Sequence, residues 1–224
     1  MATTYQITVT NNSSEPQTMF FFQQPAAYSG GSQVYTNSLA SEPMSAKPSV
    51  GISQVQFSIV DQYYAGIQTQ TSPPQIGVAN VTSIVAVPID IASSGSTNET
   101  DLTNMSVSEQ GAISLSPPVN GTGVESGAFR IITPVFNPAT QSYNAGLAAM
   151  ANGELVLSNF ITAQPNQDID VQPIVTFYVA TGSYTAGTVV NFDSVSASSA
   201  LCDATGGKED FQVTYNANGT WTVT

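Results

Sequence analysis

The sequence predicts an all-β protein, a two-layer antiparallel β-sandwich of jelly-roll or Ig-like type, with at most one short helix and a single domain over residues 1–224. Three observations lead there. Thr, Ser, Val, Gly, Asn and Pro dominate, while charged residues make up only 8 % of the chain; this is strand and turn chemistry rather than helix chemistry. Short apolar segments recur at close spacing between turn signals, the pattern of a sandwich. The length of 224 residues also suits one large all-β unit.

The elements follow in order. YQITVT (5–10) alternates and reads as a strand ended by NNSSEP, with MFFFQQ (19–24) returning as its hairpin mate. SQVYTNS follows the Gly30-Gly31 turn. VGISQVQFSIV and DQYYAGIQTQ form one long strand or two strands broken near Asp61, and TSPPQ closes that unit. VTSIVAVPIDIA is nearly continuously apolar and suits a strand buried on both faces, with Pro88 near its end. SSGSTNETDLTNMS (93–106) is small and polar, and is expected to be a long exposed loop. SYNAGLAAMANGEL (142–155) is the one candidate helix, stopped by Gly153, with an edge strand and loop as the alternative. GAFRIITPVF, LVLSNFI, PIVTFYVAT, TVVNF, FQVTY and TWTVT supply further strands, and NANG (216–219) is a hairpin turn between the last two. The ends echo each other, as paired terminal strands would.

The formal net charge is −12 and there is no histidine. Phosphate neutralisation needs clustered Lys and Arg, so nucleic acid is not an expected partner. An anionic membrane surface is excluded for the same reason, and no apolar segment reaches membrane-spanning length. Without histidine, a Ser-His-Asp hydrolase and a His-ligated zinc enzyme are excluded. Cys202 is the single cysteine and reads as a small buried hydrophobe. The opening MATTYQITVTNN lacks the basic and apolar regions of a secretory signal, so a cytoplasmic location is expected.

Three constellations are candidates for chemistry. The first is aromatic: Phe20, Phe22, Tyr63, Tyr64 and Tyr178, which could wall a flat apolar slot with phenol hydroxyls at its rim or simply fill the core. Phe20 and Phe22 share one strand face and Phe21 takes the other, so both faces of MFFFQQ need cover. Tyr63 and Tyr64 cannot both enter one core. The second is Arg130, the only arginine, which faces outward if Phe129 and Ile131 face inward and whose planar donors suit an anionic ligand. The third is Asp168 and Asp170, two apart on one strand face, where Mg²⁺ or Ca²⁺ would relieve their repulsion. None of these makes a catalytic apparatus.

PIVTFYVATGSYTAGTVVNF and FQVTYNANGTWTVT, together with the opening strand and NNS turn, FFFQQPAAY and the QYYA strand (62–65), resemble a group of small fungal cytosolic β-sandwich proteins over most of the chain. Within that group the chain is most similar to the pink chromoproteins of mushrooms. The resemblance implies a non-enzymatic protein that holds an anthraquinone-like, laccaic-acid-related polyketide pigment noncovalently. A divalent cation chelated by pigment oxygens, or Arg130 at a pigment carboxylate, would reconcile an anionic pigment with the acidic chain. A homodimer would cover the second face of the FFF strand. The alternative is a structural, storage or carbohydrate-binding (lectin-like) sandwich, with Trp221 as a sugar platform.

Overall fold

The computed structural model describes residues 4–31, 33–94 and 98–224. Residues 1–3 of the opening MATTYQITVTNN and residues 95–97 of the expected 93–106 loop lie outside that description. In chain order the strands begin with β1 (Thr4–Asn11), β2 (Gln17–Gln23), β3 (Ala27–Tyr28), β4 (Tyr35–Met44), β5 (Gln54–Val60), β6 (Tyr64–Thr69), β7 (Ile84–Pro88), β8 (Leu102–Val107) and β9 (Ile113–Leu115). They continue with β10 (Phe129–Ile132), β11 (Tyr143–Ala151), β12 (Glu154–Thr162), β13 (Asp168–Gln172), β14 (Thr176–Thr181) and β15 (Val189–Val190). The short helix α1 (Phe192–Ser196) precedes β16 (Ala200–Asp203), β17 (Asp210–Tyr215) and β18 (Trp221–Val223). No helix among the described residues is long and apolar enough to cross a membrane.

The all-β expectation holds, but the layering differs from a plain two-layer sandwich. The larger sheet runs β16-β14-β2-β4-β12-β11-β5-β1-β17-β18, with β6 and β7 continuing from β11, and β15 beside β4. It curls until its ends meet: β16 packs against β18, and the Trp221 indole donates to Ser198 O at 2.9 Å. Ile7, Val9, Phe21, Leu39, Phe57, Val179 and Phe211 fill this near-barrel. The smaller sheet, β3-β13-β10-β8-β9, lies as a second layer over β6, β11 and β12, enclosing Ile67, Leu147, Phe129, Ile131, Ile161 and Ile169. Two bulges help to bend the large sheet, one where Leu39 is inserted opposite Phe21 and Phe22 and one where Ser158 is inserted opposite Leu147 and Ala148.

Residues 142–155 are not a helix. They supply β11, the turn and the start of β12, which together form the hairpin spanning both cores. Asn152 and Gly153 both take positive φ (49° and 81°), the backbone of a two-residue hairpin turn that favours Asn-Gly. The small side chains that suggested a helix serve close packing instead: a Cβ on Gly146 would strike the Asn159 carbonyl and the Tyr28 hydroxyl.

Other pairings also depart from expectation. β1 and β2 are not hairpin mates. β1 lies between β5, antiparallel, and β17, parallel, so the terminal strands are neighbours. Asn11 holds the intervening turn by accepting from Ser13 N and Ser13 Oγ and donating to Glu15 O and Ser45 O. The chain then crosses the core, where Phe21 of β2 meets Phe57 of β5 at 4.6 Å between centroids. Among the described residues β7 pairs only with β6, and it is half-exposed, an edge strand rather than one buried on both faces; its Pro88 is tolerated there. The polar 93–106 stretch is not all loop, because Leu102–Val107 forms β8 with Thr103 and Met105 buried. The break near Asp61 and the NANG hairpin are both present.

Candidate functional site

The second face of the FFF strand is covered by the chain itself, which corrects the expectation that a homodimer covers it. Phe20 and Phe22 are 0 % exposed. Together with Ala180 and Val190 they form an outer cluster, against which Tyr178, Tyr184, Phe192 and Val195 pack. The rings make a ladder: Tyr184 to Phe20 at 4.7 Å, Phe20 to Phe22 at 5.6 Å, and Phe22 to Tyr178 at 5.3 Å. Phe192 of α1 sets its edge against Tyr178 at 5.4 Å. Asn191 caps that helix by accepting from Ser194 N. Burial, then the charge of Asp203, raises the Tyr178 phenol pKa. Phe20, Phe22 and Tyr178 therefore come together as packed rings with no slot between them.

The other expected ligands scatter. Tyr63 packs on the sandwich core and Tyr64 on the opposite, outer face of β11–β12, as adjacent residues must. Burial, then Asp61, raises the Tyr63 phenol. Arg130 stands outward between Phe129 and Ile131 as expected, but it is engaged. Its Nε and Nη2 donate to Asp170 Oδ1 and Oδ2 at 2.5 and 2.6 Å, Nη2 also donates to Gly123 O at 2.9 Å, and Nη1 reaches Asp168 Oδ2 at 3.4 Å. β10 and β13 set Arg130 directly opposite Asp170. The cation at the Asp168 and Asp170 pair is thus a guanidinium, and the residues named for a metal and for a ligand carboxylate satisfy each other. Among the described residues no group of three or more Cys, Asp or Glu is arranged to hold a metal ion. Cys202 is fully buried, and burial pushes its thiol up to about 12 against the pull of Lys208.

A cavity system lies elsewhere, on the outer face of the β11–β12 hairpin. Residues 72–80 cross that face as a strap. Gly77 N donates to Val189 O at 2.8 Å and Val189 N to Val78 O at 3.1 Å, pinning the strap to β15. Gln68 Nε2 donates to Thr82 O at 2.6 Å and Asn80 Nδ2 to Thr69 O at 2.9 Å, anchoring its far end to β6. At one side opens a cleft of about 620 Å³ between Val34 and Tyr35, the strap residues Pro74, Gln75 and Ile76, and Phe192 and Asp193 of α1. Tyr35 stacks on Phe160 at 5.4 Å, and Phe192 joins the cleft to the aromatic ladder. Beneath the strap a cavity of about 20 Å³ is lined by Asn37, Asn144 and Phe160, and shares Pro74, Gln75 and Val189 with the cleft.

Sequence reasoning did not find this site. In the sequence Tyr35 reads only as part of a strand, TSPPQ only as a terminator and TVVNF as a strand, whereas β15 ends at Val190 and Asn191 and Phe192 cap and open α1.

The structure thus defines an all-β protein with a partly closed barrel, an attached second layer and a strapped, aromatic-walled cleft. The chain belongs to the RhiA family, which it matches over residues 2–224. No curated protein and no solved structure matches it.

Proposed function

We propose that this RhiA-family chain is a non-enzymatic pigment-binding protein, akin to the pink chromoprotein of mushrooms, that holds an anthraquinone-type, laccaic-acid-related pigment noncovalently in the cleft between Tyr35 and Phe192. The cleft itself carries the reading. Its volume of about 620 Å³ lies within the range of small-molecule sites, and its lining sets the Tyr35 and Phe192 rings among aliphatic and polar side chains. Tyr35 and Phe192 are each backed by other rings, so the walls are braced before a planar ligand arrives. A pigment bearing a carboxylate would bring Mg²⁺ or Ca²⁺ chelated by its own oxygens, since Arg130 is committed to Asp170.

The absence of catalysis in this reading draws on how the reactive groups are held. Burial pushes the Cys202 thiol up to about 12, and the Arg130 guanidinium is bound to the Asp168 and Asp170 carboxylates.

The test is the visible absorption spectrum of protein purified from its natural source, read with native mass spectrometry of the same sample. A visible band with a releasable small-molecule mass is expected. A colourless protein carrying only its own mass, taken from pigmented tissue, would overturn the proposal.

A further inference from the structure

Among the described residues, three buried side-chain oxygens have no hydrogen-bond partner: Thr36 Oγ1, Asn37 Oδ1 and Asn144 Oδ1. Asn37 and Asn144 line the same small cavity under the strap. Asn37 is oriented beyond ambiguity, because its Nδ2 donates to Leu157 O at 2.7 Å, which leaves Oδ1 as the free acceptor. Both residues are nearly inaccessible, at 3 % and 1 % exposure. A buried acceptor left unpaired costs about 1–3 kcal/mol, so two at one cavity mark a place that a donor completes. The cavity volume of about 20 Å³ accommodates one polar group the size of a water molecule. It shares Pro74, Gln75 and Val189 with the cleft, so the two spaces adjoin.

We infer that the cleft's ligand is a hydroxylated planar aromatic, one phenolic hydroxyl of which passes under the strap to donate to Asn144 Oδ1, beside Asn37 Oδ1. This rests on the small-molecule reading above and adds the chemistry that the site selects. Phe160 and Val189 make part of the lining apolar, and although Ser72, Gln75 and Asn80 also border the cavity, the Asn37 and Asn144 oxygens are the buried acceptors there without a partner among the described residues. A methyl ether at the same position offers no proton and is larger. A site built to receive a hydroxyl discriminates strongly against an analogue without one, because its own polar groups then stay unpaired.

The experiment titrates the pigment-free full-length protein with 1,2-dihydroxyanthraquinone and with its dimethyl ether, by fluorescence or calorimetry, in wild type and in Asn144→Leu. Wild type is expected to prefer the dihydroxy compound by about tenfold or more, and Asn144→Leu to shrink that preference to about threefold or less while still binding both. Equal affinity of the two probes for wild type overturns the inference and leaves the cleft reading standing. So does a preference that survives Asn144→Leu. If equal affinity comes with a lower melting temperature for unliganded Asn144→Leu, an ordered water occupies the cavity instead. Failure of wild type to bind either probe overturns the aromatic-ligand reading itself. The wild-type comparison decides the matter even if the variant does not fold.

Discussion

Two polar clusters sit on opposite faces of the β11–β12 hairpin, and they are treated in opposite ways. On the inner face, at the Ser158 bulge between the two cores, the polar groups partner one another. Asn159 Oδ1 accepts from Ala26 N at 3.1 Å, the Tyr28 hydroxyl donates to Asn159 O at 2.6 Å and accepts from Leu147 N at 3.1 Å. Ser158 Oγ donates to Gln23 Oε1 at 2.9 Å, and Gln23 Nε2 donates to Ile174 O at 2.9 Å. On the outer face, under the strap, the Asn37 and Asn144 oxygens are buried with no partner. A satisfied network specifies a unique packing, whereas free acceptors in a cavity wait for something from outside. The same residue type thus does structural work on one face and offers a binding contact on the other.

The largest expected effect comes from breaking the satisfied side. Asn159→Leu removes the acceptor of Ala26 N, leaving that buried N–H unpaired, and takes one hydrogen bond each from Ser158 Oγ and the Tyr28 hydroxyl, which keep their other partners. At about 1–3 kcal/mol for the orphaned N–H and about 1 kcal/mol for each of the two other bonds lost, the loss should be on the order of 4 kcal/mol, read from urea unfolding. A loss below about 1 kcal/mol would show that the seam is not a cooperative network.

Arg130→Ala comes next. It leaves Asp170, only 4 % exposed, as a buried charge without its partner, a change that costs about 3–5 kcal/mol in buried pairs. The partial exposure of Arg130, at 15 % of its side chain, points to the low end, about 3 kcal/mol. The Asp168 contact contributes little because that carboxylate is 58 % exposed. Affinity for 1,2-dihydroxyanthraquinone should be unchanged, because Arg130 does not line the cleft. A stable variant with weakened binding would return Arg130 to the site.

Alkaline pH loads the satisfied face. Burial raises the Tyr28 phenol, opposed by its bond from Leu147 N; burial, then Asp61, raises that of Tyr5 to about 12. Both pKa values lie above the unfolded value near 10, so their stabilising contribution is complete below pH 10. It is lost as pH rises from there through the folded values, about 12 for Tyr5. Melting temperature should fall across that window, and Tyr5→Phe should make the fall shallower. An unchanged profile in Tyr5→Phe would mean that Tyr5 ionises as it does in the unfolded chain.

Much of the strand content could be read because alternation and turn residues are local signals. YQITVT, FQVTY and NANG needed no tertiary information. The helix reading of residues 142–155 failed because Ala and Gly carry two meanings: high helix propensity for Ala, and room for another backbone. Only the approach of Tyr28 and Asn159 to Gly146 decides between them. The strand pairing was not legible either, since β1 and β17 lie some 200 residues apart in sequence and loop closure over such spans carries no local signature. For the site, the outward aim of Arg130 followed from Phe129 and Ile131, and the shared face of Asp168 and Asp170 from their spacing. That these three would bind one another depended on β10 pairing with β13 in one register. The cleft was hidden for the same reason, because its walls come from β4, the strap and α1.

The smallest effect is the most discriminating, because its sign is opposite to that of the first. Asn144→Leu replaces a buried carboxamide that forms no side-chain hydrogen bond within the described residues with an apolar group of similar shape, and the adjoining space of about 20 Å³ can take up the difference in volume. Removing an unpaired buried polar group this way is neutral or stabilising, by about 1 kcal/mol. The unliganded protein should therefore melt slightly higher, while the same substitution at Asn159 melts it far lower. If both substitutions destabilise, the two faces of the hairpin are alike, the outer acceptors are already satisfied, and the distinction between the structural and the waiting face is lost.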